Sequence, residues 1–102
     1  MRQVSVMSFK SHMPCALDHA RAAARRGEVP VGAVIIGSDG AVLATAGNRT
    51  RELNDPTAHA EILAIRDACK TLGSERLTGC DLWVTLEPCA MCAAAIAAAR
   101  IA

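Results

Sequence analysis

The chain has 102 residues, with eleven basic and ten acidic side chains, so its formal net charge is only +1. This length suffices for one small domain, and a charge so near balance shows no electrostatic footprint of a nucleic-acid-binding protein. The N-terminal segment "MRQVSVMSFK" has no apolar run long enough for a signal peptide, and the longest apolar stretch, 89–99, is too short to span a bilayer. Five cysteines, an odd number without a secretion signal, favour a reducing compartment. We therefore expect one cytoplasmic domain over residues 1–102, with no membrane contact.

In chain order, the apolar patterns predict three helices and three strands. They place a helix at 14–26, strands at 31–36 and 41–47 joined by the turn "GSDG", a helix from about 57 to 72, a strand at 81–86 and a last helix that begins at Pro88. Because strand 31–36 is apolar on both faces, we expect it to be covered on both sides. The order α-β-β-α-β-α predicts helices packed on a sheet.

The spacing of apolar residues also predicts which helix faces point inward. The expected inward sets are Leu17, Ala20 and Ala24 in the first helix, and Ile62, Ile65, Cys69 and Leu72 in the second.

The segment "PTAHAEI" at 56–62 places His59 two residues before Glu61, where the second helix is predicted to begin. Residues two apart on an ideal helix point roughly 200° away from each other. The two side chains can therefore face one site only if His59 lies in an irregular first turn, which the preceding "NDPT" favours.

The segment "LEPCAMC" at 86–92 supplies two thiols, Cys89 and Cys92, which project from one face at the start of the last helix. The helix dipole favours thiolates at this position. Together with His59 they would make three ligands of a tetrahedral zinc site and leave the fourth position to water, which is the catalytic arrangement. Zinc acidifies such a water, and a nearby carboxylate, for which Glu61 is the candidate, can shuttle protons between the water and a substrate.

Other interpretations of these residues stay open at this point. A CxxC between a strand and a helix is also the thioredoxin layout, so the two cysteines could form a redox pair, although this leaves "HAE" unexplained. Glu61 could be a solvated residue on a helix face. Cys15, Cys69 and Cys80 are expected to be small residues of the core or its boundary.

The combination of H-x-E with P-C-x-x-C is the signature of zinc-dependent nucleobase deaminases, and here it reads 59–61 and 88–92. The stretches "GEVPVGAVI", "GNRTRELNDPTAHAEILAIR" and "DLWVTLEPCAMCAAAI" resemble the bacterial tRNA-specific adenosine deaminases, from about Met13 onward. Guanine deaminases of the same superfamily share "NDPTAHAE" and the cysteine pair, but typically carry a "GGPFGAV"-like stretch where this chain has "GEVPVGAV". Cytidine deaminases proper usually have Cys where His59 stands.

The resemblance implies an α/β fold of the cytidine-deaminase type, with three α-β-α layers around a mixed sheet. Family members continue for some fifty residues beyond this point, so we expect the chain to lack the last strands and helices of that fold. Residues 1–12 are expected to be an N-terminal extension. The family enzyme is a homodimer, which is what we expect here.

The resemblance also implies hydrolytic conversion of adenosine to inosine at the wobble position of a tRNA anticodon, with the anticodon stem-loop as partner. His59, Cys89 and Cys92 would hold one Zn²⁺ per chain, and Glu61 would activate the water and protonate the purine ring. Asn48, in "GNR", matches the family asparagine that hydrogen-bonds the flipped base. The alternatives are a deaminase of guanine or another free base or nucleoside, and a zinc-binding remnant without catalysis.

Overall fold

The structure is a computed structural model and describes residues 11–101. Three helices and three strands follow in the predicted order: α1 Met13–Arg25, β1 Gly32–Ile36, β2 Val42–Gly47, α2 Ala60–Leu72, β3 Asp81–Val84 and α3 Ala90–Ala98. Residues 1–10 of the expected N-terminal extension lie outside the described part, so that expectation stays a prediction. Between residues 11 and 101, no helix combines the length and the apolar character needed to cross a bilayer.

The three strands form one sheet in the order β2-β1-β3, with β1 in the centre. Strand β1 pairs antiparallel with both neighbours, and a bulge between Ile35 and Ile36 shifts its register with β2. The resemblance implied a mixed sheet, but both pairings among the described residues are antiparallel.

The helices cover the two faces of this sheet, which confirms the predicted three layers. On one face, α1 packs through Ala16 against Val34, Ile36 and Trp83. On the other face, α2 and α3 bury a larger core, to which the sheet contributes Ala33, Ile35, Ala44, Leu82 and Val84. All five residues of β1 are buried, as its apolar pattern predicted.

Two glycines let α1 lie very close to the sheet. A Cβ at Gly32 would lie 1.9 Å from the carbonyl oxygen of Ala16, and one at Gly47 would lie 2.7 Å from that of His19. Both obstacles are backbone atoms of α1, which side-chain rotation cannot move. The spacing between α1 and the β1–β2 pair therefore depends on the absence of side chains at these two positions.

The predicted inward faces of two helices are partly wrong. In α2 the fully buried residues are the alanines Ala60, Ala64 and Ala68, whereas Leu72 is 47% exposed. In α1 the buried positions are Ala16, Ala20 and Ala23, whereas Leu17 and Ala24 are exposed. Ala20 and Ile62 are buried as predicted, and Ile65 and Cys69 are partly buried against the core. Alanine allows each helix to approach the sheet closely, so the contact is centred on the alanines while Leu17 and Leu72 stay exposed.

The predicted boundaries around the CxxC segment also need correction. Strand β3 ends at Val84 rather than at residue 86, and Pro88 lies before the helix rather than at its first position. Cys89 is the N-cap of α3 and has extended backbone dihedral angles, φ −70° and ψ 173°. The cysteine pair thus begins in a loop and ends in the first turn of a helix.

Candidate metal centre

His59 lies just outside α2, at the N-cap position. Its backbone is extended, with φ −73° and ψ 152°, and the helix begins at Ala60. The backbone N–H of His59 donates to the carbonyl of Thr57 at 2.8 Å, which fixes the chain as it enters the helix. Because His59 does not have helical geometry, its side chain is released from the divergence of about 200° that an ideal helix imposes between residues 59 and 61.

The imidazole of His59 meets both cysteines at the start of α3. Its Nδ1 atom lies 3.7 Å from Sγ of Cys89 and 3.4 Å from Sγ of Cys92. One nitrogen and two sulfur ligand atoms all lie within 4.8 Å of one another. Cys89 and Cys92 follow His59 by 30 and 33 positions in the sequence. They meet His59 because the first turns of α2 and α3 lie side by side.

The two thiols lie in different electrostatic surroundings. The backbone N–H of Cys92 is the first of several groups at the helix start that lower the pKa of Cys89, as expected for a thiol at a helix N-terminus. The pKa of Cys92 is raised well above its usual range, first by burial and then by the negative charge of Glu61 and by Cys89. Cys92, Cys89 and Glu61 are all electron-pair donors, and the negative charge of Glu61 lies near the buried thiol of Cys92. None of these three groups carries a positive charge.

Glu61 is the second residue of α2 and is only 4% exposed. It is therefore not the solvated helix-face residue that the sequence left open. Its carboxylate acts on Cys92 through its charge and through a side-chain hydrogen bond, so it lies next to that thiol. The structure brings the three proposed ligands and the proposed acid–base group to one place.

Asn48 is buried beside the start of α2. Its Oδ1 atom accepts the backbone N–H of Ala60 at 2.8 Å, between His59 and Glu61 in sequence. Its own backbone N–H donates to the carbonyl of Val31 at 3.1 Å. The amide of Asn48 is thereby held at the start of α2, with its oxygen bonded to the backbone of Ala60 and its NH₂ group as the donor side.

The chain matches a known family of metal-binding proteins. The profile of the cytidine and deoxycytidylate deaminase zinc-binding region matches residues 7–102. The chain belongs to this deaminase family. Within it, the cysteine pair is part of a zinc-binding region, which favours metal ligation over the redox interpretation.

Similar proteins point to one branch of the family. The chain is 64% identical over 96 residues to the tRNA-specific adenosine deaminase of Agrobacterium fabrum and 52% identical over 95 residues to that of Aquifex aeolicus. In both cases 93% of this chain and 62% of the relative are covered. The chain thus spans about three-fifths of the length of these relatives.

Solved structures of two kinds share the fold. One, from studies of A-to-I editing by tRNA:A34 deaminases at the wobble position of transfer RNA, has 66% identity and a TM-score of 0.85, and 87% of this chain and 64% of that chain are covered. The guanine deaminase of Bacillus subtilis has 44% identity and a TM-score of 0.86, with 93% and 60% covered. The two TM-scores are nearly equal, whereas the sequence identities differ.

The donor set of this deaminase chain fits a zinc ion. Zinc is bound by imidazole nitrogen and thiolate sulfur, and three protein ligands with one open position are typical of catalytic zinc sites. His59, Cys89 and Cys92 supply this set, and the buried negative charge around Cys92 would be offset by a divalent cation. The other cysteines are packing residues, as expected: Cys80 is buried, Cys15 and Cys69 are half-buried, and burial raises the pKa of Cys69 and Cys80.

Sequence reasoning missed three polar residues that hold the surroundings of the site. Arg26 donates from its guanidinium to the carbonyl of Asn48 at 3.1 Å. Thr85 accepts the backbone N–H of Gly32 on its hydroxyl at 3.1 Å and so anchors the loop that leads to the cysteines. Glu28 is buried, and an acidic residue inside the apolar stretch "EVPVGAVII" was the available signal.

Proposed function

We propose that this chain carries the catalytic site of a zinc-dependent hydrolytic deaminase that converts adenosine to inosine at the wobble position of a tRNA anticodon. The observation that carries the proposal is the convergence of His59, Cys89 and Cys92 beside the buried carboxylate of Glu61. The same residues form the H-x-E and P-C-x-x-C signature of nucleobase deaminases.

Each residue has a chemical task in this proposal. His59, Cys89 and Cys92 would hold one Zn²⁺, which supplies acidification of a water molecule when it is bound. Glu61 would accept a proton from that water and deliver it to N1 of the purine, which prepares C6 for attack. The hydroxyl left from the water adds at C6, its remaining proton passes through Glu61 to the amino group, and the C6–N bond breaks, so that ammonia leaves and inosine remains. The burial of Glu61 keeps bulk water from competing for this proton.

Asn48 would hold the base in the pocket. Its Oδ1 is engaged by the backbone of Ala60, so the NH₂ group is the side that can donate to an acceptor on the flipped base. This bond to Ala60 would fix the donor in place before the base arrives.

Sequence identity supports a tRNA substrate over a free base. The tRNA-specific relatives reach 64% identity, and the structure from the A-to-I editing studies reaches 66%, against 44% for the guanine deaminase. The names of these relatives also support a tRNA as partner, for which we propose the anticodon stem-loop, and the homodimer and the cytoplasmic location remain expectations from the family resemblance. The net charge of the chain is only +1, so we expect binding to depend on contacts at the candidate site more than on overall charge.

The test is a rate comparison on two substrates. Zinc-loaded wild-type chain and Glu61→Gln are each incubated with an anticodon stem-loop RNA that carries adenosine at the wobble position, and with guanine. We expect inosine in the RNA and no ammonia from guanine. Loss of a general acid–base typically costs about 10²–10⁴-fold, so Glu61→Gln should be slower by that factor while it still binds zinc.

Two results would contradict the proposal. Ammonia release from guanine, with the RNA unchanged, would assign the chain to free-base deamination. Bound zinc with no turnover above the level of Glu61→Gln on either substrate, even at high protein concentration, would assign a zinc-binding remnant.

A further inference from the structure

We propose that Glu28 is a positioning residue of this site, because its carboxylate caps the turn that follows Asn48 and so fixes the Asn48 amide against the start of α2. The inference rests on the proposed function, since the role it assigns belongs to the same site. Glu28 is a charged residue that is only 6% exposed, in a stretch that is otherwise apolar.

The end of α1 fixes the backbone of Glu28. Gly27 has a left-handed conformation, φ +83°, and its N–H donates to the carbonyl of Ala24 at 3.0 Å. The N–H of Glu28 donates to the carbonyl of Ala23 at 2.9 Å. Paired bonds of this kind around a left-handed glycine are a Schellman-type helix end, so the direction in which Glu28 leaves the helix is set by α1.

The side chain of Glu28 reaches across to a segment more than twenty residues away. Its Oε1 atom accepts the backbone N–H of Arg51 at 3.1 Å and the hydroxyl of Thr50 at 3.3 Å. Its Oε2 atom accepts the backbone N–H of Glu52 at 2.9 Å. Both carboxylate oxygens are thus used within one turn of the chain.

This turn has the geometry of the first turn of a helix. The N–H of Leu53 donates to the carbonyl of Arg49 at 3.0 Å, a bond between residues four apart. The N–H groups of Arg51 and Glu52 then have no acceptor within the turn, as in the first turn of any helix. Glu28 supplies that acceptor, as an N-cap side chain does, but from a distant part of the chain.

Both ends of the loop that contains this turn lie at the candidate site. The N–H of Arg49 donates to the carbonyl of Ala58 at 3.0 Å and closes the loop. Asn48, which precedes Arg49, accepts the N–H of Ala60. His59, which follows Ala58, is the N-cap residue of α2. If the turn loses its cap, the loop shifts at the closure, and the amide of Asn48 shifts with it.

The carboxylate of Glu28 is charged when it makes these bonds. Burial by itself would raise its pKa, but the N–H groups of Glu52 and Arg51, the hydroxyl of Thr50 and the charge of Arg26 together lower it. Hydrogen bonds to a charged carboxylate oxygen are stronger than bonds to a neutral amide oxygen. Replacement by glutamine keeps one carbonyl acceptor and should therefore weaken the cap without removing it.

The experiment compares four zinc-loaded chains of 102 residues: wild type, Glu28→Gln, Glu28→Ala, and the matched control Glu75→Gln on an exposed carboxylate. Residue-resolved hydrogen exchange, zinc per chain, and kcat and KM on the anticodon stem-loop RNA are measured for each. Loss of a cap should accelerate exchange of the Arg51 and Glu52 amides about tenfold in Glu28→Ala, with Glu28→Gln in between and the control unchanged. Zinc per chain should stay at the wild-type value, and kcat/KM should fall by about tenfold or more in the same order.

The proposal is overturned if exchange at residues 49–58 is unchanged in Glu28→Ala. It is also overturned if exchange rises uniformly along the chain while zinc is lost, because that pattern describes a general structural role. If the wild-type chain does not convert adenosine in RNA, the proposed function fails, whereas the exchange data still decide whether Glu28 positions the loop.

Discussion

At the scale of single residues, the backbone of His59 decides how the site is built. An N-cap residue with extended dihedral angles can turn its imidazole toward the thiols of α3, while Glu61, two residues on, is held by helical geometry. The bond from the Ala60 N–H to Asn48 fills the position between them. Three consecutive residues thus serve as a proposed ligand, a backbone anchor and a proposed proton carrier.

Sequence reasoning could select the proposed zinc ligands and Glu61 because their chemistry depends on residue type and short spacing. It could not find the role of Glu28, whose hydrogen-bond partners lie 22 to 24 residues away and are mostly backbone N–H groups, which every residue except proline has. Backbone partners leave no trace in residue identity. Only the fold brings them within reach.

Asp55 offers a prediction on acid stability. The hydroxyl and then the N–H of Thr57 lower the pKa of Asp55, with a further contribution from the charge of Arg66. A depressed carboxyl pKa stabilises the fold at pH values above the unfolded-state pKa of about 4, and this stabilisation is lost as the pH falls through the folded-state value. Asp55→Asn should therefore lower the midpoint of thermal unfolding at pH 7, and the difference from wild type should shrink as the pH falls below the unfolded-state value toward the lower folded-state pKa of Asp55.

Thermal unfolding followed by circular dichroism between pH 2.5 and 7 measures this difference, with Asp67→Asn on the exposed side of α2 as the matched control. A difference between Asp55→Asn and wild type that is constant over the whole pH range would show that the carboxylate charge is not the cause.

Among the secondary-structure elements, the close packing of α1 on the sheet depends on two positions without side chains, Gly32 and Gly47. Gly32→Ala would drive its Cβ into the carbonyl of Ala16, which cannot rotate away, so α1 must move off β1. Overpacking of this kind typically costs about 1–3 kcal/mol, and a backbone obstacle puts this case at the upper end. Gly37→Ala is the matched control, since it meets only side-chain atoms, at 3.0 Å and beyond. Urea unfolding measures the free energy of unfolding of both variants. Equal losses in Gly32→Ala and Gly37→Ala would contradict the close approach of α1 to Gly32.

Helix α2 shows why the inward face could not be predicted from apolar spacing alone. It carries a stripe of alanines and a stripe of larger apolar residues, and both follow helical periodicity. Which stripe meets the sheet depends on how closely the helix approaches, and this is a property of the whole fold. The order of elements, in contrast, was readable because each break in periodicity coincides with turn residues.

Substitutions in α2 test whether the alanines or the larger apolar residues contact the sheet. Ala64 is fully buried, so Ala64→Leu should destabilise the fold by about 1–3 kcal/mol through overpacking. Leu72→Ala removes a larger side chain, but that residue is 47% exposed, so we expect a loss below about 1 kcal/mol. The free energies of unfolding in urea should follow this order. The opposite order would mean that the large apolar residues form the contact with the sheet, as their spacing predicted.

At the scale of the whole molecule, the candidate metal site joins two helices that are consecutive in the chain and pack on the same sheet face. A ligand that binds only the folded state stabilises it, by about 4 kcal/mol when its free concentration is a thousandfold above its dissociation constant. Zinc should therefore raise the unfolding temperature of the wild-type chain, and a chelator should lower it. Cys92→Ser should lose this response, whereas Cys15→Ser, whose thiol lies on the α1 side of the sheet, should keep it. An equal response in both variants would place the metal elsewhere.

A native mass spectrum of the purified chain and of His59→Ala directly tests the claim that His59, Cys89 and Cys92 form one zinc site. We predict one zinc per wild-type chain, reduced thiols at both cysteines, and no zinc on the variant. A metal-free wild-type chain that has lost two hydrogens to a disulfide between Cys89 and Cys92, or a zinc ion retained by His59→Ala, would contradict the claim.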